Sequence, residues 1–169
     1  KPKFYFGTGN LTIMDKFLIH GGLTEDFQDK FFSFADSSEW IGNDSHISPK
    51  DTFPLPVGGH CNIRINEKYF MVTGGLVPHG RNASVVTNKT YFCQMDLKKC
   101  SRGPDLNCPR RAHGCFQKNI SGKQYLYVTG GYKSNSFTSE DVEYLDMSDR
   151  SNRQWKFGES HFCRKIQSI

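Results

Sequence analysis

The fold of this chain is decided by the stretch KYFMVTGG, residues 68–75, because the chain contains three versions of it. The other two are QYLYVTGG at residues 124–131 and KFLIHGG at residues 16–22. Each is a short run of aromatic and aliphatic residues, as expected of a strand buried on both faces. The glycine pair ends the strand where the backbone needs a positive φ or passes close to a neighbour. The pairs recur at intervals of 53 and 56 residues, which indicates a repeat architecture.

The composition favours an all-β fold. The 169 residues divide into three units of about 50 residues, with 16 glycines and 14% aromatic residues, and no helix-length amphipathic run is present. The net charge of +5 is spread over a mixed surface without the Lys/Arg run that indicates nucleic-acid binding. Arg110-Arg111 is the densest basic pair, and we interpret it as an isolated surface pair. No apolar run approaches the ~20 residues of a membrane span.

Cysteines and glycosylation sequons point to the secretory pathway. The six cysteines contain no CxxC pair of the kind found in zinc sites, and they lie at Cys61, Cys93, Cys100, Cys108, Cys115 and Cys163. The five N-x-S/T sequons lie at Asn10, Asn43, Asn82, Asn88 and Asn119. An even cysteine count together with so many sequons predicts a secreted glycoprotein in which all six cysteines form disulfides, with Lys1 as the mature N-terminus. The alternative is a cytosolic protein with free thiols and unused sequons.

Alignment on the glycine pairs extends the repeat to whole units. A first strand at residues 7–13 matches residues 59–65 and 112–116, and a tight turn follows at residues 14–15, 66–67 and 121–122. After each glycine pair comes a polar loop and then a third strand, at residues 30–36, 90–96 and 141–146. Trp40, Cys100 and Trp155 follow on the fourth strand. The sequence therefore predicts three units of four antiparallel strands, over residues 1–50, 51–107 and 108–169.

This pattern resembles the kelch repeat over essentially the whole chain. The residues of the third unit carry the resemblance best, namely Arg111, His113, Gly130, Gly131, Tyr144 and Trp155. The first unit keeps Gly21, Gly22, Phe34 and Trp40, whereas the second has Cys100 in place of Trp and no aromatic residue at Gln94. The resemblance implies a kelch-type β-propeller with three four-stranded blades.

Three blades are fewer than a closed propeller needs, so the resemblance implies a partner. Propellers close with four to eight blades, and an open arc would expose two apolar blade faces. We therefore expect these three blades to be half of a six-bladed ring. The second half is either an identical chain or the remainder of a longer precursor.

Two cysteine pairs stand out in the aligned units. Cys93 and Cys100 flank the turn between the third and fourth strands of the second unit, and a bridge there could replace the missing Trp at roughly 2–4 kcal/mol. Cys61 and Cys115 lie on the first strands of adjacent units. Six cysteines allow fifteen connectivities, and the sequence leaves the choice among them open.

The loops after the glycine pairs, at residues 23–28, 76–86 and 132–139, are the candidate ligand-binding surface. They mix aromatic with polar side chains, and the candidate residues are His79, Arg81, Tyr132, Lys133, Asn135 and Phe137. The competing interpretation is that these are solvated loop tips. The six histidines lack the HxH or HExxH spacing of a metal site, so we predict no metal and no cofactor. His60 and His113 occupy matching positions of the first strand, and the resemblance to the kelch repeat implies that they are structural hydrogen-bonding residues.

We expect an extracellular binding or interaction module for a protein or glycan ligand, with no nucleic-acid partner. Two other functions stay open. One is a secreted oxidase, since galactose oxidase is also built on kelch-type blades, although its copper site of two Tyr and two His cannot be assembled here. The other is a lectin, with Tyr132 and Phe137 as sugar platforms. Catalytic residues are not identified, because no nucleophile elbow, P-loop or dinucleotide fingerprint is present.

Overall fold

A computed structural model describes residues 3–4, 12–13, 16–21, 23–26, 31–34, 38–41, 57–79, 83–96, 99–133, 137–149, 151 and 153–158. The described residues form strands and no helix, which confirms the all-β prediction. Their strands are β1 Lys3–Phe4, β2 Thr12–Ile13, β3 Lys16–His20, β4 Leu23–Asp26, β5 Phe31–Phe34, β6 Ser38–Ile41, β7 Cys61–Arg64, β8 Tyr69–Thr73, β9 Leu76–His79, β10 Ala83–Val86, β11 Thr90–Gln94, β12 Cys100–Arg102, β13 Gly114–Ile120, β14 Lys123–Thr129, β15 Val142–Asp146 and β16 Lys156–Phe157. Within these ranges, no helix has the length and apolar character needed to cross a membrane.

Two four-stranded antiparallel sheets match the second and third predicted units. The central sheet has the order β12-β11-β8-β7, and the C-terminal sheet has the order β13-β14-β15-β16. In each, the strand that ends in the glycine pair lies between the first and third strands of its unit. The strand β7 contacts β13, so the first strands of the two sheets are neighbours. The sequence period therefore corresponds to a repeated four-stranded sheet in these two units.

The N-terminal unit is arranged differently from the prediction. The strand β3 pairs with β2 and β6, whereas β5 pairs with β4, and β4 pairs with β1. The predicted strand at residues 30–36 is present as β5, and Trp40 lies in the next strand, β6. The predicted pairing order is wrong, because β5 pairs with β4, whereas β6 pairs with β3 and places Trp40 opposite Leu18. The chain first forms the hairpin β4–β5 after the glycine pair, and only the next segment returns to pair with β3.

A second hairpin in the same place corrects the prediction of a polar loop at residues 76–86. The strands β9 and β10 pair with each other in a two-stranded sheet, from Leu76↔Val86 to His79↔Ala83. Pro78 interrupts the apolar run and carries no amide N–H, which is why the segment looks like a loop in the sequence. The hairpin is not part of the central four-stranded sheet. An alignment that assumes four strands in each unit therefore does not detect it.

The glycine pairs have the backbone geometry that the sequence predicts. Gly74, Gly75, Gly130 and Gly131 all have positive φ, between 56° and 104°. A Cβ atom on Gly131 would lie 2.6 Å from the backbone oxygen of Arg111. The predicted turn at Ser121-Gly122 also has positive φ at both positions, 50° and 77°, as a two-residue hairpin turn requires.

The side chains of β8 point alternately into two apolar clusters. The first cluster lies on one face of the central sheet and contains Val57, Phe70, Val72, Cys93 and Met95. The second lies between the central and C-terminal sheets and contains Ile63, Met71, Leu106, Leu126, Val128, Leu145 and Trp155. The central sheet is therefore apolar on both faces, as its unbroken apolar strand predicts.

Two disulfides join the strands that the sequence singled out. Cys61–Cys115 links the first strands β7 and β13 of the two sheets, over 54 residues of sequence. Cys93–Cys100 links the neighbouring strands β11 and β12, over 7 residues. Cys108 has no disulfide partner among the described residues, and Cys163 lies outside them. Two disulfides are compatible with an extracellular location.

Candidate functional site

The turn that follows Gly131 holds most of the described candidate residues. Tyr132 and Arg111 exchange two backbone hydrogen bonds, with N···O distances of 2.8 and 3.0 Å. The Arg111 guanidinium lies 5.3 Å from the centre of the Tyr132 ring, within the range of a cation–π contact. This bridge fixes the start of the turn against the segment that leads into β13, and it leaves the Tyr132 side chain 42% exposed.

The end of the turn is fixed by a second set of contacts. The Lys133 N–H donates to the Phe137 carbonyl at 2.9 Å, and the Ser139 N–H donates to the Gly131 carbonyl at 2.8 Å. The Lys133 ammonium also pairs with the Asp141 carboxylate at 3.0 Å. The hydrogen bond from Lys133 lowers the pKa of Asp141, and the same bond raises the pKa of Lys133. Phe137 is 70% exposed, and its carbonyl is held by the hydrogen bond from Lys133.

A buried ion pair beneath the turn connects it to the C-terminal sheet. Arg110 and Glu143 are fully buried, and their side chains meet at 2.7 Å. Arg110 also donates to the Gly130 and Asp141 carbonyls, at 3.0 and 3.1 Å. Glu143 accepts from the backbone N–H of Asn107 at 2.6 Å. The interpretation of Arg110-Arg111 as a surface pair is therefore wrong for Arg110, whose charge is compensated inside the protein.

His113 is the second buried polar residue near the glycine pairs. Its Nε2 lies 2.9 Å from Thr73 Oγ1, so it joins the C-terminal sheet to the end of β8. Burial, reinforced by the Arg110 guanidinium, lowers the pKa of His113 from 6.5 to about 3. The low pKa keeps the ring neutral at physiological pH. The contact with Thr73 agrees with the structural hydrogen bonding expected of this histidine.

The structure brings three of the six predicted binding residues together. Tyr132, Lys133 and Phe137 share the turn, whereas His79 is exposed at the end of β9 in the separate hairpin. Arg81 and Asn135 lie outside the described residues. Sequence reasoning missed the contributions of Arg111 and Asp141. In the sequence, these two residues of opposite charge lie on either side of the loop that contains Tyr132 and Phe137. Only the backbone pairing of Arg111 with Tyr132 shows that they belong to one site.

The described part of the chain contains no group of three or more His, Cys, Asp or Glu side chains that could hold a metal ion. Around the turn, the available chemistry is that of recognition, with exposed aromatic rings beside positive groups. No protein-family model and no curated protein matches this chain.

Proposed function

We propose that this chain is an extracellular kelch-type propeller segment that acts as a binding module, and that the turn at residues 132–138 is its contact surface. The observation that carries the proposal is that Tyr132 and Phe137, 42% and 70% exposed, stand on a backbone fixed at both ends. Exposed apolar rings on backbone held by hydrogen bonds at Tyr132, Lys133 and Phe137 favour binding, because little conformational entropy is lost at those residues when a partner covers them.

The propeller part of the proposal is supported by the arrangement of the two four-stranded sheets. They face each other across a shared apolar cluster, and their first strands β7 and β13 are neighbours. Radially stacked blades have this relation, with the first strand of each blade nearest the axis. An extracellular setting is supported by the two disulfides and by the sequons.

A protein ligand fits the turn better than a glycan does. Arg111 lies over one face of the Tyr132 ring, and a sugar platform needs an open ring face. Tyrosine and arginine together are the residues that most often dominate protein interfaces. The turn also carries balanced charge, since Lys133 is paired with Asp141.

The test is to probe the labelled chain against an array of secreted ectodomains and, in parallel, a glycan array with chelator present. We expect specific capture by a protein that is lost in the double variant Tyr132→Ala/Phe137→Ala. The matched control is Phe157→Ala, since Phe157 is also exposed, at 55%, but lies on β16.

The outcomes separate the possible functions. Binding that survives the double variant would show that the turn is not the contact surface. Capture on glycans alone, lost in the double variant, would replace the protein ligand with a lectin function. Equal melting temperatures of the variants and the unaltered chain would show that lost binding is not lost folding.

A further inference from the structure

The segment that connects the central sheet to the C-terminal sheet contains a pair of basic residues, Arg110-Arg111, followed by Ala112. Two adjacent arginines followed by a small residue form the kind of sequence that endoproteases specific for paired basic residues recognise. Such enzymes bind both guanidinium groups in acidic pockets. Cleavage after this pair therefore requires that both arginine side chains leave the surface of the substrate.

The fold holds both side chains of the pair. Arg110 is fully buried, and its guanidinium lies 2.7 Å from the Glu143 carboxylate and 3.0 Å from the Gly130 carbonyl. Arg111 is partly buried, and its guanidinium lies over the Tyr132 ring. While these contacts are in place, neither side chain is available to an acidic pocket.

The backbone on both sides of the Arg111–Ala112 peptide bond is held as well. The Arg111 N–H donates to the Tyr132 carbonyl at 3.0 Å, and the Tyr132 N–H donates back to the Arg111 carbonyl at 2.8 Å. The Ala112 N–H donates to the Gly59 carbonyl at 2.7 Å, and Ala112 has a positive φ of 50°. A protease binds an extended substrate backbone through its N–H and C=O groups. The bond is therefore closed to cleavage in the folded chain.

The side-chain contacts of the pair all come from residues that follow it in the sequence. Arg110 is held by Gly130, Asp141 and Glu143, and Arg111 is held by Tyr132. These four residues belong to β15 or to the segment between β14 and β15. A chain in which the C-terminal sheet has not formed thus presents the basic pair without any of these contacts.

We propose that Arg110-Arg111 is a latent cleavage site for an endoprotease specific for paired basic residues, and that formation of the C-terminal sheet closes this site. Cleavage adds water across the Arg111–Ala112 peptide bond, and it leaves a carboxylate on Arg111 and an amine on Ala112. Chains whose C-terminal sheet is missing or detached are cut, and folded chains are spared. The proposal goes beyond the binding function and does not depend on the ligand of the turn at residues 132–138.

The long disulfide decides what happens to a chain that has been cut. Cys61 precedes the Arg111–Ala112 bond and Cys115 follows it, so their disulfide joins the two fragments. Where this disulfide has formed, the fragments 1–111 and 112–169 stay together until they are reduced. Where it has not formed, cleavage releases the C-terminal fragment.

The test is digestion with a purified kexin-type endoprotease, which cuts after paired basic residues, followed by mass spectrometry of the products. A synthetic peptide of residues 105–116, which lacks the contacts of the fold, should be cut between Arg111 and Ala112. The full, oxidised chain should stay intact at this bond. The fragment masses identify the bond, since the sequence contains two other basic pairs, at residues 98–99 and 164–165.

Two variants of the full chain test what closes the site. Glu143→Gln leaves the Arg110 charge buried without its partner, and it should raise the rate of cleavage after Arg111 by about a hundredfold or more, because cleavage follows the population of the open form. The matched control Asp105→Asn removes a carboxylate from a partly exposed ion pair with Lys89, and it should leave the bond intact. Without reductant the fragments of Glu143→Gln should migrate as one species.

Four results would overturn the proposal. The first is a peptide that is not cut after Arg111, and the second is an unaltered chain that is cut there as fast as the peptide. The third is a folded Glu143→Gln chain that is cut no faster than Asp105→Asn. The fourth is release of the C-terminal fragment from oxidised protein without reductant, which would contradict the part assigned to the disulfide. The comparison of peptide and unaltered chain decides the question even if Glu143→Gln does not fold.

Discussion

At the scale of single residues, Gly131 and Gly122 both have a positive φ, but a side chain would meet neighbouring atoms only at Gly131. Gly131 and Gly122 have φ of 86° and 77°. A Cβ atom on Gly131 would lie 2.6 Å from Arg111 O and 2.7 Å from His113 Cβ, whereas no described atom lies within 4 Å of one on Gly122. Both positions disfavour an L side chain by about 1–2 kcal/mol, but only Gly131 adds a steric clash with backbone.

We therefore expect Gly131→Ala to lower the free energy of unfolding well beyond the ~1–2 kcal/mol lost in Gly122→Ala. Urea unfolding of both variants measures the difference. Equal losses would mean that the close approach of Arg111 and His113 to Gly131 has no energetic consequence. A larger loss in Gly122→Ala would reverse the assignment of the two glycines.

His113 predicts a specific pH dependence of stability. Its pKa is 6.5 when unfolded and about 3 when folded, so between these values the unfolded chain binds a proton that the folded chain excludes. Stability is therefore full above pH 6.5 and falls as the pH is lowered towards 3, by up to about 1.4 kcal/mol for each pH unit.

We expect His113→Gln to remove this component, since glutamine can hydrogen-bond to Thr73 without titrating. The measurement is the free energy of unfolding of both proteins from pH 7 downwards, and the difference between them should shrink as the pH falls. A constant offset between His113→Gln and the unaltered protein would contradict a depressed pKa for His113.

At the scale of strands, the two disulfides close loops of very different length. Cys61–Cys115 spans 54 residues and Cys93–Cys100 spans 7 residues. Restriction of the unfolded chain then contributes about 4 kcal/mol for the long loop and about 2 kcal/mol for the short one. We expect the double variant Cys61→Ala/Cys115→Ala to lose more free energy of unfolding than the double variant Cys93→Ala/Cys100→Ala.

Equilibrium unfolding of the two paired variants tests this order, and the reduced unaltered chain gives the sum. A larger loss for the Cys93 and Cys100 pair would mean that packing around Cys93, which is fully buried, outweighs loop closure. In that case the Cys93–Cys100 bridge would stabilise the central unit, which has Cys100 where the other units have Trp, by packing and not by restricting the unfolded chain.

The described strands also distinguish two of the sequons. Asn119 is exposed near the tip of the β13–β14 hairpin, and Ser121 of the same sequon is exposed as well. In contrast, the Asn88 side-chain amide donates to the Leu106 carbonyl at 3.0 Å, and the hydroxyl of the fully buried Thr90 donates to Pro104. A glycan on Asn88 would replace one of the two N–H groups of the amide that donates to Leu106, and it would crowd a hydrogen bond that the fold uses.

We therefore expect a glycan on Asn119 and none on Asn88 after expression in a secretory eukaryotic host. Intact mass should fall by one glycan in Asn119→Gln and stay the same, apart from the substitution, in Asn88→Gln. Peptide mapping assigns the site independently. Glycosylated Asn88 in folded protein, or unmodified Asn119, would contradict the assignment.

At the scale of the whole molecule, the shared apolar cluster predicts that the central and C-terminal sheets unfold together. Met71 is fully buried in this cluster with Leu126 and Leu145. We expect Met71→Ala to cost about 2–5 kcal/mol and to lower the hydrogen-exchange protection of Val72 and Val128 by the same amount. Val85→Ala, in the exposed β9–β10 hairpin, should leave both unchanged. Protection lost at Val72 alone would show that the sheets open independently.

The sequence predicted the repeated sheet because the strand before each glycine pair is specified locally, by its apolar run and by the positive φ of the pair. It predicted a structural role for His113 from its place in the repeat. It also singled out the strands that the two disulfides join, but it left the cysteine connectivity open. It did not predict the β4–β5 and β9–β10 hairpins. Among the described residues their strands pair with each other, with β1 and, at Leu76, with Gly58, so they lie outside the four-stranded repeat.

The remaining differences come from long-range pairing. Arg110 and Glu143 are 33 residues apart, and only the packing of the sheet brings their charges together out of water. Phe116, Tyr127 and Tyr144 form an aromatic row across β13, β14 and β15, and only the register of these strands brings their rings together. Whether such a row is exposed depends on which side of the sheet the neighbouring sheet covers, and the sequence alone does not specify that side.

The link between Cys61 and Cys115 also has a consequence for the order of synthesis. In an oxidising compartment the chain emerges from its N-terminus, so Cys61, Cys93 and Cys100 are present before Cys115. During that interval Cys93 finds Cys100 across 7 residues more readily than it finds the distant Cys61, because closing a shorter loop costs less entropy. Pairing of Cys93 with Cys100 thereby leaves Cys61 available for Cys115. Of these two bonds, Cys61–Cys115 forms only after the next unit has been made and lies beside the previous one.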